Sequence, residues 1–239
     1  MLRVNNKLIR INGGLVRYIE PPPPPFPTDM DFIYLAKDFD GTKITNKAIN
    51  STFGDYLANG TLTINGSDST CYLSNDLNDS NYLYKDLTSD ELNKIKAESN
   101  TYTWFIRVMN SEGNSCGGIV STRTNGGYKY MIRAREQYLE IHYSSGTVLN
   151  NGNFNLDVDR VYKVEITGTL FIAKNLDTNS TYAVNFTGSR SMGTKMTTFN
   201  AGIGGESKLD RFYGMAGIAR ATTDAEDTAI KNILMNQSL

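Results

Sequence analysis

From Asp31 onward the chain alternates short runs of Tyr, Ile, Val, Thr and Phe with clusters of Asn, Gly, Asp and Ser. Short β-branched and aromatic runs bounded by turn formers read as strands. The pattern predicts strands at residues 31–35, 62–64, 71–74, 101–109, 118–122, 128–133, 138–143, 161–167, 170–175, 181–185, 200–204 and 212–221. Strands in succession, without a helix between each pair, argue for a β-sandwich or jelly roll rather than a parallel βα fold. Two helices interrupt. Thr88-Ser-Asp-Glu91 is a capping box, followed by Leu92 and Ile95 on one face. Thr223-Asp-Ala-Glu226 is a second, followed by Ala229, Ile230, Ile233 and Leu234 at helical spacing. That apolar stripe is expected to pack on the sandwich.

The first 27 residues follow a different pattern. Val4–Arg10 reads VNNKLIR, and Ile11–Arg17 repeats it as INGGLVR. Asn5-Asn6 and Asn12-Gly13 are dipeptides that tolerate the positive φ of tight hairpin turns. A three-stranded meander over residues 1–4, 7–11 and 15–19 is the simplest outcome. So small a sheet cannot fold alone. Val4, Leu8, Ile9, Ile11, Leu15, Val16 and Tyr18 are therefore expected to dock onto something, and free strand edges suit strand addition. Pro21–Pro25 and Pro27 follow as an extended spacer, rising about 3.1 Å per residue. The expected division is an anchor at 1–20, a polyproline linker at 21–28 and a β-sandwich at 29–239.

Charge changes this picture only by exclusion. The 24 basic and 25 acidic residues nearly cancel, with no like-charged block, which argues against a phosphate-tracking nucleic-acid surface. No apolar run approaches the roughly 20 residues of a membrane span. The opening MLRVNNKLIR has neither a continuous apolar stretch nor a small-residue cleavage site, so no export is expected. Cys71 and Cys116 are accordingly expected as reduced thiols. Sequons at Asn50, Asn59, Asn179 and Asn185 read as by-products of an Asn/Thr/Ser-rich composition.

No strand carries a catalytic constellation. Glu140 and Glu165 each stand alone, without the paired carboxylates of glycoside hydrolysis. His142 is the one His, no Gly-x-Ser-x-Gly occurs, and a zinc site from one His and two distant Cys is poor. Gly202-Ile-Gly-Gly205 opens no βαβ unit and is no dinucleotide fingerprint. Neither an enzyme nor a cofactor is expected. Binding fits better. Alternation places Tyr102, Trp104, Ile106 and Val108 on one face of their strand, with Trp104 in the core, and Arg107 on the other face. One sheet face is then expected to gather Arg107, Arg133, Arg135, Tyr138, Glu140 and His142, either to bind sugar or as the solvated side of a half-buried sheet.

Several segments resemble the concanavalin A-like, laminin-G-like jelly-roll domains. These are YLAKDFDGTKITNKAINSTFGDYLANGTLTI, DSTCYLSN, TYTWFIRVMN, GGIVSTRTNGGYKYMIRAREQYLEIHY, LDVDRVYKVEITGTLFIAKNLDTNSTYAV and the closing FNAGIGGESKLDRFYGMAGIARATTDAEDTAIKNIL. The match covers residues 31–234 and departs where NLDTNST replaces an Asp-Gly turn. It implies a jelly-roll sandwich with two short helices and allows calcium at a loop rim, where the Asp38/Asp40 and Asp76/Asp79 pairs lie. NNKLIRINGGLVRY with its prolines resembles the anchor segments of appendage proteins in tailed, crAss-like phages of gut Bacteroidetes. That resemblance implies a virion structural protein, a head fibre or tail appendage. It would dock to other virion proteins through residues 1–20, form a homo-oligomer such as a trimer, and meet host-surface glycan. A polysaccharide-active enzyme and a bacterial cell-surface adhesin are the alternatives.

Overall fold

A computed structural model of the chain describes residues 7–11, 14–18, 26–76, 78, 80–97, 100–111, 116–124, 127–135, 138–143, 146–147, 154–168, 170–185, 193–199 and 209–239. In chain order the strands are β1 (Lys7–Ile11), β2 (Gly14–Tyr18), β3 (Phe32–Leu35), β4 (Lys43–Ile44), β5 (Tyr56–Asn59), β6 (Thr63–Asn65), β7 (Tyr72–Ser74), β8 (Tyr82–Asp86), β9 (Thr101–Met109) and β10 (Cys116–Thr124). They continue as β11 (Gly127–Arg135), β12 (Tyr138–Tyr143), β13 (Gly146–Thr147), β14 (Arg160–Thr167), β15 (Leu170–Asn175), β16 (Thr181–Asn185), β17 (Lys195–Phe199) and β18 (Arg211–Ile218). The helices are α1 (Ser89–Lys96) and α2 (Asp224–Asn236).

Two antiparallel sheets form a jelly-roll-like sandwich. The first runs β16-β15-β14-β9-β18-β7-β6, with β3 also pairing β18; the second runs β13-β12-β11-β10-β17-β8-β5-β4. Alternation along β9 explains the layering. Tyr102, Trp104, Ile106 and Val108 join one fully buried cluster with Ile132, Ala134, Leu139 and Ile141 of the second sheet. Phe105 points to the other side, where it meets Val161, Ala216 and Ile218 beneath Ile230 and Leu234 of α2. β9 is thus buried on both faces, and each large side chain so enclosed contributes about 1.5–3 kcal/mol. Gly217 of β18 has no room for a side chain among its neighbours in the first sheet, since a Cβ there would meet the Phe32 ring at 2.5 Å and the Tyr102 hydroxyl at 2.6 Å.

Both capping boxes are present: Thr88 and Thr223 accept from the backbone of Glu91 and Glu226, whose carboxylates return to the cap nitrogens. α2 lays its apolar stripe on the first sheet as its spacing predicts. β4, β5, β8, β13 and β17 were not expected. Lys85 of YLYKD is buried on the same side as Leu83, and buried Thr197 and Thr198 interrupt the apolar positions of KMTTF, so neither run shows a clean period-2 signal. The final strand ends at Ile218 rather than at Ala221. The strand expected at 200–204 lies outside the described residues.

At the N-terminus β1 and β2 form a two-stranded antiparallel sheet of their own. Ile9 pairs with Val16, Ile11 with Gly14 and Lys7 with Tyr18, alternating with Leu8–Arg17 and Arg10–Leu15. The expected first strand, with Val4, lies outside the described residues. Among the described residues, Phe26 leans on the core under α2 and is followed by buried Pro27 and Met30. The Asp31 amide then donates to the Gly217 carbonyl, and Arg220 grips Asp29 and Glu226 together.

Candidate binding surfaces

The six residues expected on one face divide between the sheets: Arg107 lies in the first, whereas Arg133, Arg135, Tyr138, Glu140 and His142 occupy same-face register positions on β11 and β12 of the second. Arg133 on β11 and Glu140 on β12 are direct register partners in the second sheet. The Arg133 guanidinium donates to the Glu140 carboxylate, and both side chains are buried. A buried charge pair offsets its desolvation only with close geometry, so this one is a structural element of the sheet. Tyr138 is half-buried and bridges Asn155. Arg135 and His142 occupy the register positions opposite Tyr138 and Met131, and their side chains lie outside the described residues.

Arg107 belongs elsewhere. β9 lies in the first sheet, and Arg107 projects from it toward α2, the opposite side of the molecule from Arg133 and Glu140. Its Nε and Nη2 donate to the two carboxylate oxygens of Asp159 at 2.8 and 2.5 Å. Its Nη1 reaches the carbonyls of Ser69, Leu234 and Met235 at 2.8, 2.8 and 3.0 Å. The last carbonyls of a helix lack intrahelical partners, and a cation placed there also suits the helix dipole. Arg107 therefore ties down the end of α2. Alternation along β9 was read correctly; which sheet β9 joins was not, because pairing partners are non-local.

A β-bulge adds a second feature. The register between β18 and β9 shifts between Phe212 and Gly214, leaving Tyr213 as the extra residue. A bulge re-aims a side chain; here the Tyr213 ring lies 4.3 Å from the Arg107 guanidinium and 5.6 Å from the Tyr72 ring. Arg211 closes the stack over Tyr72 at 4.8 Å. Its hydrogen bond to Tyr213 holds the Arg211 guanidinium above its ordinary pKa, while burial raises the Tyr213 hydroxyl. Beside this ladder a cleft of about 230 Å³ is lined by Ser74, Asp76, Ser111, Asp210 and Arg211.

Among the described residues no cluster of three or more His, Cys, Asp or Glu has metal-binding geometry. Asp40 accepts from the Thr42 and Lys43 amides of its own turn, Asp38 pairs with Lys47, and Asp76 holds Thr63 and Ser74. Asp79 lies outside the described residues. Cys71 is a buried free thiol whose pKa burial raises; the side chain of Cys116 lies outside the described residues.

A cleft of about 570 Å³ lies between α2 and the β15–β16 hairpin. No residue of it was singled out from sequence. The signal was present: Asp224, Asp227, Thr228 and Lys231 recur at i, i+3, i+4 and i+7, a polar stripe beside the apolar one.

No protein-family model matches the chain, and no curated protein does. Solved structures do match. The binding domain of Paraclostridial Mosquitocidal Protein 1 superposes at TM-score 0.61 and 9% identity, over 86% of this chain and 52% of that one. The botulinum neurotoxin serotype D/C VPI 5993 binding domain gives 0.59 and 12%, over 86% and 52%. A botulinum neurotoxin type C structure, described as entering cells through interaction with two ganglioside molecules, gives 0.57 and 8%, over 87% and 52%. The chain spans about half the length of each. At these identities the likeness is one of fold: a β-sandwich of the kind found in toxin receptor-binding domains.

Proposed function

We propose that the chain is a virion structural protein of a tailed phage, a head fibre or tail appendage. Residues 1–20 dock to other virion proteins, the prolines hold the sandwich away from the particle, and the sandwich offers a lectin-like surface to host glycans. The observation that carries this reading is the N-terminal ribbon. β1 and β2 pair with each other in a sheet separate from both sandwich sheets, and two strands of this length are not stable alone in water. A partner that completes the sheet supplies what the ribbon lacks.

The adhesive half of the proposal draws on the toxin binding domains that share the sandwich, one of them described with gangliosides. Two of the described clefts are lined mainly by Asp, Asn, Ser, Thr, Lys and Arg, side chains suited to contacts with hydroxyl groups. Weak sites gain from multiplicity, so a homo-oligomer, a trimer for preference, fits such a role.

The test has two arms. Antibody against residues 26–239 is applied to purified phage particles and to cell-envelope fractions of the same culture, and the full chain is applied to an array of bacterial and host-surface glycans. Label on particles and retention on at least one glycan class are expected. Label confined to the envelope overturns the virion assignment, and a blank array overturns the adhesive one.

A further inference from the structure

We infer that the cleft between α2 and the β15–β16 hairpin is a subsite for a neutral, hydroxyl-rich saccharide, an inference that rests on the glycan-adhesion reading above. One wall is the polar stripe of α2: Asp224, Asp227, Thr228 and Lys231. The other carries Lys174, Asn179 and Thr181 from the hairpin. Leu176 is the only aliphatic lining residue among the described residues, so an apolar ligand has little to bury against.

Charge narrows the ligand class. Lys174 lies 3.0 Å from Asp224 and 3.8 Å from Asp227. Lys231 lies 2.7 Å from Asp177 and donates to the Leu176 carbonyl at 2.9 Å. Each ammonium thus has a carboxylate beside it. An anionic ligand would have to displace those carboxylates, and a divalent cation would have to displace the ammonium groups. A neutral polyol displaces neither, because each hydroxyl both donates and accepts. It can give to a carboxylate and take from an ammonium in one contact.

The floor of the cleft is fixed. Asp227 is 3% exposed and is held by Lys163 at 3.1 Å and by the Thr222 hydroxyl at 2.5 Å. Lys163 is itself buried. Well-packed apolar residues often stabilise such a position as well or better, so a buried charge here has a positioning use. Above that floor Asn179 and Thr181 are exposed, and among the described residues neither side chain is engaged by another. They supply an amide and a hydroxyl at the open mouth.

The full chain and the double variant Asn179→Gly/Asp224→Ala are compared on one array of neutral, sialylated and sulfated oligosaccharides. Asn179 has φ +58°, which Gly adopts freely, and the Asp224 side chain is 94% exposed, so the fold is expected to tolerate both changes. Circular dichroism and the urea midpoint confirm this. The expected result is retention of the parent on neutral glycans and at least a tenfold weaker signal for the variant. Equal binding by parent and variant, or parent binding confined to sialylated or sulfated glycans, overturns the cleft and leaves adhesion standing. A parent that binds nothing on the array overturns adhesion and the cleft together.

Discussion

Replacing Arg107 with Met removes the guanidinium while keeping most of the stem's packing. In the parent, one side chain holds both oxygens of Asp159 and three backbone carbonyls, and its guanidinium stacks on Tyr213. Hydrogen bonds to charged groups contribute about 1.5–3 kcal/mol each, and groups left buried without partners cost about 1–3 kcal/mol. Asp159 keeps 30% of its side chain exposed and can rehydrate, so its share is discounted. The carbonyls at the end of α2 have less recourse, since Leu234 is fully buried. The loss is then about 3–5 kcal/mol, the usual cost of breaking a buried pair. For a chain of this size that lowers Tm by about 6–20 °C. Trp104, the single tryptophan, lies three residues away in the core and reports unfolding in urea by fluorescence. Arg107→Lys should recover less than half of the loss, because an ammonium cannot form the two-pronged contact with Asp159. Stability of Arg107→Met within about 1 kcal/mol of the parent, together with lost glycan retention, would refute the structural role and return Arg107 to the binding face.

Arg220 first, and then the Thr223 cap, hold Glu226 down at about 2 against an ordinary 4.5. A depressed carboxylate stabilises above its unfolded value, so the deficit of Glu226→Gln should be full at pH 6, shrink below about 4.5 and vanish near pH 2 in pH-resolved urea titrations. Asp227→Leu alone leaves buried Lys163 only the longer ion pair with Glu165 at 3.5 Å and should cost about 2–4 kcal/mol, whereas adding Lys163→Met should recover much of it; a double-mutant cycle in urea reads both. Gly217→Ala should cost about 1–3 kcal/mol by forcing the Phe32 ring aside, measured as a lowered Tm. Deleting residues 1–25 should leave the urea midpoint of the sandwich nearly unchanged, while deleting 1–31 should lower it, because Phe26, Met30 and the Asp31 amide are lost.

What the sequence disclosed tracks how local each determinant is. The β-sandwich class, the two capping boxes, the repeat at the N-terminus and the inward face of β9 all follow from spacing within about ten residues. Trp104 fell in the core as alternation along TYTWFIRVMN requires. The binding face failed as a set because it required knowing which strands share a sheet. Arg107 and Arg133 are only 26 positions apart, yet β9 pairs with β14 and β18, and β11 with β10 and β12. Nothing local records that choice. The same limit hid the Tyr72–Tyr213–Arg107 ladder, which depends on a bulge in β18, and the α2 cleft, whose second wall lies about 50 residues upstream.

α2 is where these separate findings meet. Its first turn supplies Glu226 to the Arg220 clamp that also holds Asp29, just ahead of β3. Its apolar stripe roofs the second core, its polar stripe walls the cleft, and its last carbonyls are gripped by Arg107. A force or mutation that shifts the helix therefore disturbs the Asp29 contact and the cleft at once, even though they share no residue. This sets a condition on any test of binding. Loss of glycan retention on changing Glu226, Ile230 or Arg107 says nothing about the cleft, since the helix itself is displaced. Only side chains that stand clear of these ties, Asp224 and Asn179 among them, separate loss of a ligand contact from loss of the wall that presents it.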